Sequence, residues 1–70
     1  MMKVSARNMA IGKVTSVEKG AVAALVKVEV QGPFTFTSRI TKEAVDDLGL
    51  KKGDKVTVVV KSTEVIIAKE

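Results

Sequence analysis

The sequence predicts a small all-β barrel of about five strands, with one short helix between the fourth and fifth strands. Apolar residues make up 46% of the chain and are mainly valine and alanine. Valine favours strands, because its branched side chain is stiff and packs well on a pleated surface. Short segments in which apolar and polar residues alternate are separated by turns that contain glycine. In one stretch the apolar residues recur instead at the spacing of an α-helix. Seventy residues suffice for one domain, which we expect to span residues 1–70.

The predicted strands of the first half differ in how clearly apolar and polar residues alternate along them. A polar stretch at 5–8 opens the chain as a strand, and residues 11–17 (IGKVTSV) follow. The alternation slips between Val14 and Val17, and a bulge or a bend at Gly12 would absorb the slip. After a turn the pattern becomes regular, and one face carries a row of small apolar residues: Val22, Ala24, Val26, Val28 and Val30.

The second half carries the helix and the closing strands. Residues 34–40 alternate, with Phe34 and Phe36 expected in the core. Residues 41–48 (TKEAVDDL) change to helical spacing, with Thr41 as N-cap and Gly49 as C-cap. Two further alternating stretches follow, and together these elements favour an OB-like barrel. The two stretches are 55–61 and 65–68.

The residue types that are missing exclude most chemistry. The chain has no cysteine and no histidine, which leaves no thiolate nucleophile, no imidazole base and no preferred zinc ligands. Gly49 and Gly53 are not followed by the Lys-Ser/Thr pair of a phosphate loop. We therefore expect no enzyme, no catalytic cofactor and no metal site. The polar start has no apolar leader and no segment is long enough to span a bilayer, so we expect a cytoplasmic protein without membrane contact.

Two features favour assembly into a homo-oligomer. A chain this short buries a modest fraction of its surface, and without disulfides or metals its remaining support is a partner subunit. Apolar residues also fall on the face that should meet water, where scattered exposure is the alternative interpretation. They are Met9, Ile11, Ala23, Leu25 and Val59.

The polar residues favour an anionic partner. The formal net charge is +4. Small oxyanions without a proton need only donors, and three places in the chain are rich in them. Nucleic acid fits less well, because the two phenylalanines are expected in the core rather than on a stacking surface. The simpler alternative is that Ser62-Thr63 turns the chain and Arg7 is a surface charge. The three places are Ser5, Arg7 and Asn8; Lys61, Ser62 and Thr63; and Thr41 at a helix start.

Several motifs, in order and spacing, resemble the Mop family, the molbindins, whose fold is also called the TOBE domain. The resemblance runs nearly end to end. SARN followed at this distance by Lys-Ser-Thr is its most specific part. The motifs are SARN at 5–8, GKV at 12–14, KGAV at 19–22, IT at 40–41, DLGLKKGD at 47–54 and VKSTEVIIAK at 60–69.

This resemblance implies a cytoplasmic protein that binds molybdate or tungstate. It also implies a hexamer built as a trimer of dimers, with oxyanions held between subunits. Ala44 stands where the family often has a serine, so one hydroxyl donor is lost. The residues that the motifs imply as oxyanion-binding are Ser5, Arg7, Thr41, Lys61 and Ser62, with Ala6, Asn8, Ala44 and Thr63 as further candidates.

A second resemblance covers about a third of the chain. Residues 38–60 are similar to swapped-hairpin DNA-binding domains of the AbrB/MazE type, which implies a transcription regulator. Those domains usually carry Ile-Pro before the helix, and here Ile40-Thr41 runs directly into Lys42. They have no place for SARN or for strands at 11–30, so this alternative ranks second.

Overall fold

The computed structural model describes residues 8–69, which form a mostly β structure with one short α-helix. Four strands make one antiparallel sheet in the order β3-β2-β1-β4. In that range no helix has the length and apolar character needed to cross a membrane. The elements are β1 (Asn8–Lys19), β2 (Ala23–Val30), β3 (Phe34–Thr41), α1 (Lys42–Leu48), β4 (Lys55–Val60) and a 3-10 turn (Ser62–Glu64).

The long central strand β1 organises the sheet, because it pairs with β2 on one side and β4 on the other. Its first half pairs with β4 from Asn8 opposite Val60. The register with β2 shifts between Val14 and Ser16, which identifies a bulge. The slip in alternation was therefore read correctly from the sequence, but the bulge lies at Thr15 and not at Gly12.

The core lies on one face of the sheet and is covered by α1. Valine and alanine from β1 and β2 meet Val45 of the helix, which is 1% exposed. Fully burying a valine is worth about 1.5–3 kcal/mol, so this one helical residue accounts for much of the docking of α1. The regular face predicted for β2 is confirmed at Ala24, Val26 and Val28, whereas Val22 precedes the strand and is exposed.

The ends of α1 are fixed by the residues that the sequence pattern indicated. Thr41 has an extended backbone, and its side chain accepts a hydrogen bond from the N–H of Ala44, as an N-cap does. Gly49 closes the helix in the left-handed region at φ 61°, and its N–H reaches the last carbonyls. Both predicted caps are confirmed.

The predicted fifth strand and closed barrel differ from what the structure contains. Residues 65–68 join no strand in residues 8–69, and Ile66 is 91% exposed. The helix follows the third strand, since Asn8–Lys19 is one continuous element. Phe34, predicted as core, is 56% exposed on an edge strand, where it meets Phe36 edge to face at 4.9 Å. The residues that would cover these groups are not supplied by residues 8–69 of one chain.

Candidate oxyanion site

The last residue of the SARN motif lies beside the strand end that leads into the Lys-Ser-Thr motif. Asn8, the last residue of SARN, lies opposite Val60, directly before the Lys-Ser-Thr corner. The Asn8 side-chain Nδ2 also donates to the carbonyl oxygen of Val60 at 3.3 Å. The other three residues of SARN, namely Ser5, Ala6 and Arg7, lie outside the described residues.

The Lys-Ser-Thr corner is a short helical turn that leaves its side chains at the surface. The N–H of Glu64 donates to the Lys61 carbonyl at 2.8 Å, and the N–H of Val65 donates to the Ser62 carbonyl at 3.4 Å. Lys61, Ser62 and Thr63 are all exposed. Carbonyls of the corner are thus used internally, whereas the ammonium and hydroxyl groups face outward and can donate. We call Asn8 with Lys61, Ser62 and Thr63 the chain-end cluster.

The start of α1 is a second, smaller group of donors, which we call the helix-start cluster: Thr41 and Ala44. The Thr41 Oγ1 accepts the Ala44 N–H at 3.0 Å. The N–H of Lys42 donates to the Val22 carbonyl at 2.8 Å. Two of the first three helical amides are therefore already used. Because Ala44 has no hydroxyl, the side-chain donor that remains for a ligand at this cluster is the Thr41 hydroxyl.

The two clusters lie at opposite ends of the sheet. Thr41 pairs with Ala23 of β2, next to the point where Ala24 meets Lys19 at the end of β1. The chain-end cluster lies at the other end of β1, which is 12 residues long. At about 3.3 Å per residue, that strand separates the clusters by roughly 36 Å along its path. The structure does not bring all the predicted residues together within one chain.

The helix-start end is braced by an ion pair. Lys19 Nζ lies 2.9 Å from Asp46 Oδ1 and joins the end of β1 to α1. The hydrogen bond from Lys19 lowers the pKa of Asp46, and the charges of Lys19 and Lys42 act in the same direction. Both partners are about half exposed, so water screens the pair, and its role is to orient α1 more than to stabilise the fold.

The donor chemistry of both clusters suits an anion and not a cation. Among residues 8–69 there is no group of three or more histidine, cysteine or carboxylate side chains that could hold a metal ion. Hydroxyl, ammonium and amide groups are donors, and donors stabilise the oxygens of an oxyanion.

Two features of the candidate site could not be predicted from the sequence. Asn8 remains a candidate ligand, and one of its two amide hydrogens is directed at the Val60 carbonyl. The pairing of Asn8 with Val60, the residue directly before the Lys-Ser-Thr corner, was also missed. It depends on pairing between β1 and β4, which lie far apart in sequence and whose register no local pattern reveals.

Comparison with known proteins gives consistent matches over most of the chain. Residues 4–67 match the TOBE domain. Molybdenum-pterin-binding protein 3 of Clostridium pasteurianum is 47% identical over 66 residues, covering 94% of this chain and 97% of the relative. The match to TOBE includes β1 and β2, for which the swapped-hairpin domains have no counterpart, and this disfavours the swapped-hairpin alternative.

Two solved structures superpose closely on this one. MopII from Clostridium pasteurianum gives a TM-score of 0.91 at 45% identity, covering 96% of this chain and all of the other. The cytoplasmic molybdate-binding protein ModG, in a form with molybdate bound, gives a TM-score of 0.88 at 46% identity. That match covers 93% of this chain and 46% of ModG, so the present chain corresponds to about half of that protein.

Proposed function

This chain belongs to the TOBE domain family, and from that membership we propose that it binds molybdate as an intracellular store in the cytoplasm. Molybdate binding is named for ModG and molybdenum-pterin binding for the Clostridium relative, which supports the choice of ligand. The proposal treats residues 1–70 as one binding domain, with no reaction and no catalytic cofactor. Tungstate, with the same charge and shape, would bind the same donors.

The proposed site joins the chain-end cluster of one copy to the helix-start cluster of another. Arg7 and Lys61 offset the charge of the dianion, and Ser5, Ser62 and Thr41 donate to its oxygens. Ala6 and Thr63 add backbone or hydroxyl donors beside them, and Ala44 lines the site without donating. Hydrogen bonds to a charged acceptor are about twice as strong as neutral ones, so a few donors suffice. The single observation that carries this arrangement is the separation of the two clusters along β1.

A site made only of hydrogen-bond donors would distinguish molybdate from other tetrahedral oxyanions. Phosphate is partly protonated at neutral pH, and its O–H group would find no acceptor there. Leaving a buried donor unpaired costs about 1–3 kcal/mol, which corresponds to roughly a factor of 5 to 150 in affinity. Sulfate carries no proton, so it is discriminated by its smaller size in a rigid pocket.

The proposed assembly is a hexamer built as a trimer of dimers, and exposed apolar surface supports it. Met9 lies opposite Val59 in the sheet, and both are exposed with Ile11 on the outer face. These three residues form one continuous patch. Leu25 lies apart from it on β2, where it pairs with Glu18 of β1 and Arg39 of β3. Apolar surface of this kind is typical of contacts between subunits.

We further propose that residues 65–68 form the fifth strand of a barrel by pairing with another copy. Ile66 and Ile67 are 91% and 85% exposed, which is costly for two large apolar side chains. An apolar groove of about 210 Å³ is lined from both edge strands, by Phe36 and Ile40 of β3 and by Val58 of β4. A strand from a neighbouring copy would cover this groove and close the sheet.

The test is complementation between two defective variants. The first variant, Lys61→Ala with Ser62→Ala, lacks the chain-end donors, and the second, Thr41→Ala, lacks the helix-start donor. Each alone is expected to lose molybdate binding in calorimetry. Co-expressed, they should regain about one quarter of the sites, because random pairing of copies joins two intact halves in that fraction. Thr41→Ser keeps the hydroxyl and serves as the matched control, with wild-type affinity expected.

Native mass spectrometry with and without molybdate reports subunit number and bound ions together. Six subunits with bound ions would agree with the proposal. A monomer that binds molybdate would refute the shared site but leave molybdate binding intact. An assembly that binds no molybdate would refute the function itself, and an Arg7→Ala variant with unchanged molybdate affinity would refute the proposed site.

A further inference from the structure

We propose that a lysine-rimmed cleft beside the β1 bulge binds a small organic phosphate, independently of the molybdate site. The cleft has a volume of about 570 Å³. None of its residues belongs to the chain-end or helix-start cluster. We call it the basic cleft and define it by its lining, residues 15–17, Lys19 and residues 50–52.

The lysine turn of the basic cleft is held in place by its backbone. The N–H of Lys51 donates to the Asp54 carboxylate at 3.0 Å, and the N–H of Asp54 donates back to the Lys51 carbonyl at 3.1 Å. Gly53, at φ 97°, permits this tight turn. The backbone that carries Lys51 and Lys52 is therefore fixed and not a loose loop.

The same turn is joined to β1 at the bulge. The N–H of Gly53 donates to the Val14 carbonyl, and the N–H of Val14 donates to the Asp54 carbonyl, both at 2.8 Å. Directly after Val14 the register shifts, and the Thr15 hydroxyl donates to the Lys27 carbonyl at 3.3 Å. The bulge thus places Ser16 and Val17 next to the turn, and the two segments form the walls of the cleft.

The lining of the basic cleft has two chemical characters. Ser16, Val17 and Leu50 are half-buried and form a mostly apolar floor, whereas Lys51 and Lys52 are exposed at the rim. Asp46 offsets the charge of Lys19, the third lysine. Within residues 8–69, no carboxylate lies at ion-pair distance from Lys51 or Lys52. Two lysines against the one Asp54 carboxylate, which accepts the Lys51 N–H, leave the rim with a net positive charge above an apolar surface.

This combination specifies the ligand class. Lysine ammonium groups bind phosphate as point charges, so the rim accommodates phosphate groups in several orientations. The volume lies in the range of small-molecule sites, about 300–1,000 Å³, and exceeds the needs of one tetrahedral oxyanion. An organic phosphate places its charged groups at the lysines and its apolar body against Val17 and Leu50.

The test compares two probes of similar charge, ATP and inorganic tripolyphosphate, both without magnesium, by calorimetry at low salt. ATP is expected to bind more tightly, since it alone has a body to cover the floor. In the double variant Lys51→Gln/Lys52→Gln, ATP affinity should fall about tenfold, as expected for losing two exposed charge contacts. Molybdate affinity should stay at the wild-type value.

The matched control is Lys13→Gln/Lys55→Gln, which removes the same charge from two lysines that face each other across β1 and β4 outside the cleft. ATP affinity should change less than about twofold in this control. Amide NMR signals of residues 15–17 and 50–52 should shift on ATP addition. Equal loss in both double variants, tripolyphosphate binding as well as ATP, or shifts elsewhere in the chain would each overturn the proposal.

Discussion

Among the five glycines, Gly12 is the position where an added methyl group should damage the sheet most. A Cβ at residue 12 would lie 2.6 Å from the Glu29 carbonyl oxygen and 2.7 Å from Val28 Cγ1. The carbonyl belongs to the backbone of β2 and cannot rotate away. Gly12 is also paired on both sides, with Val30 of β2 and Val56 of β4, so β1 cannot shift sideways to relieve the clash.

For Gly12→Ala the loss can be estimated from these contacts. Overpacking costs about 1–3 kcal/mol, and the alanine recovers about 0.4–1 kcal/mol by restricting the unfolded chain. Because the 2.6 Å contact is to a backbone oxygen, the overpacking cost should lie in the upper part of its range, about 2–3 kcal/mol, and the net loss in free energy of unfolding is then about 1–2.5 kcal/mol. In a domain of this size, that lowers the Tm by roughly 5–15 °C.

Thermal unfolding followed by circular dichroism, at one protein concentration, measures this shift. The matched control is Gly49→Asn, where a Cβ meets nothing within 4 Å and asparagine tolerates the left-handed backbone. Its Tm should change by less than about 3 °C. A Gly12→Ala variant with the wild-type Tm, or a control that falls equally, would refute the argument from close approach.

Two further predictions concern the helix. Thr41→Ala removes the oxygen that accepts the Ala44 N–H, so it should lower the free energy of unfolding by about 1 kcal/mol in urea titrations. Thr41→Ser keeps a hydroxyl oxygen and should retain most of that free energy. Equal loss in both variants would contradict the capping role. Asp46 has a pKa below its usual value, so its contribution is present above the unfolded pKa and is lost as the pH falls through the folded pKa. Asp46→Asn should therefore lower the urea midpoint slightly at pH 7, and this difference should shrink as the pH is lowered through and below the ordinary aspartate value of 3.8. A difference that does not shrink over that range would show that the ion pair with Lys19 is not its cause.

The helix and the β2 core face could be predicted from the sequence because their signals are local. Thr41 and Gly49 mark the ends of α1 through backbone preferences that act within a few residues. The alternation of Ala24, Val26 and Val28 has the period of a strand with one buried face. Such signals need no knowledge of distant partners.

The prediction failed where the outcome depended on a distant partner. The bulge was placed at Gly12, whereas the register with β2 shifts at Thr15. Residues 65–68 have the pattern of a strand, but a strand requires a neighbour, and residues 8–69 provide none. Phe34 was expected in the core because it falls on the apolar side of an alternating pattern. It lies instead on an edge strand that residues 8–69 leave uncovered.

The sequence by itself determined the β-rich class, the capped helix, the family resemblance and the set of donor residues, because each depends on residue type and short-range spacing. Only the tertiary structure decided where those donors lie. Pairing of Asn8 with Val60 brings the start of β1 to the end of β4, and the length of β1 holds Thr41 far from both. Strand register arises from contacts across the whole sheet, so no local pattern contains it.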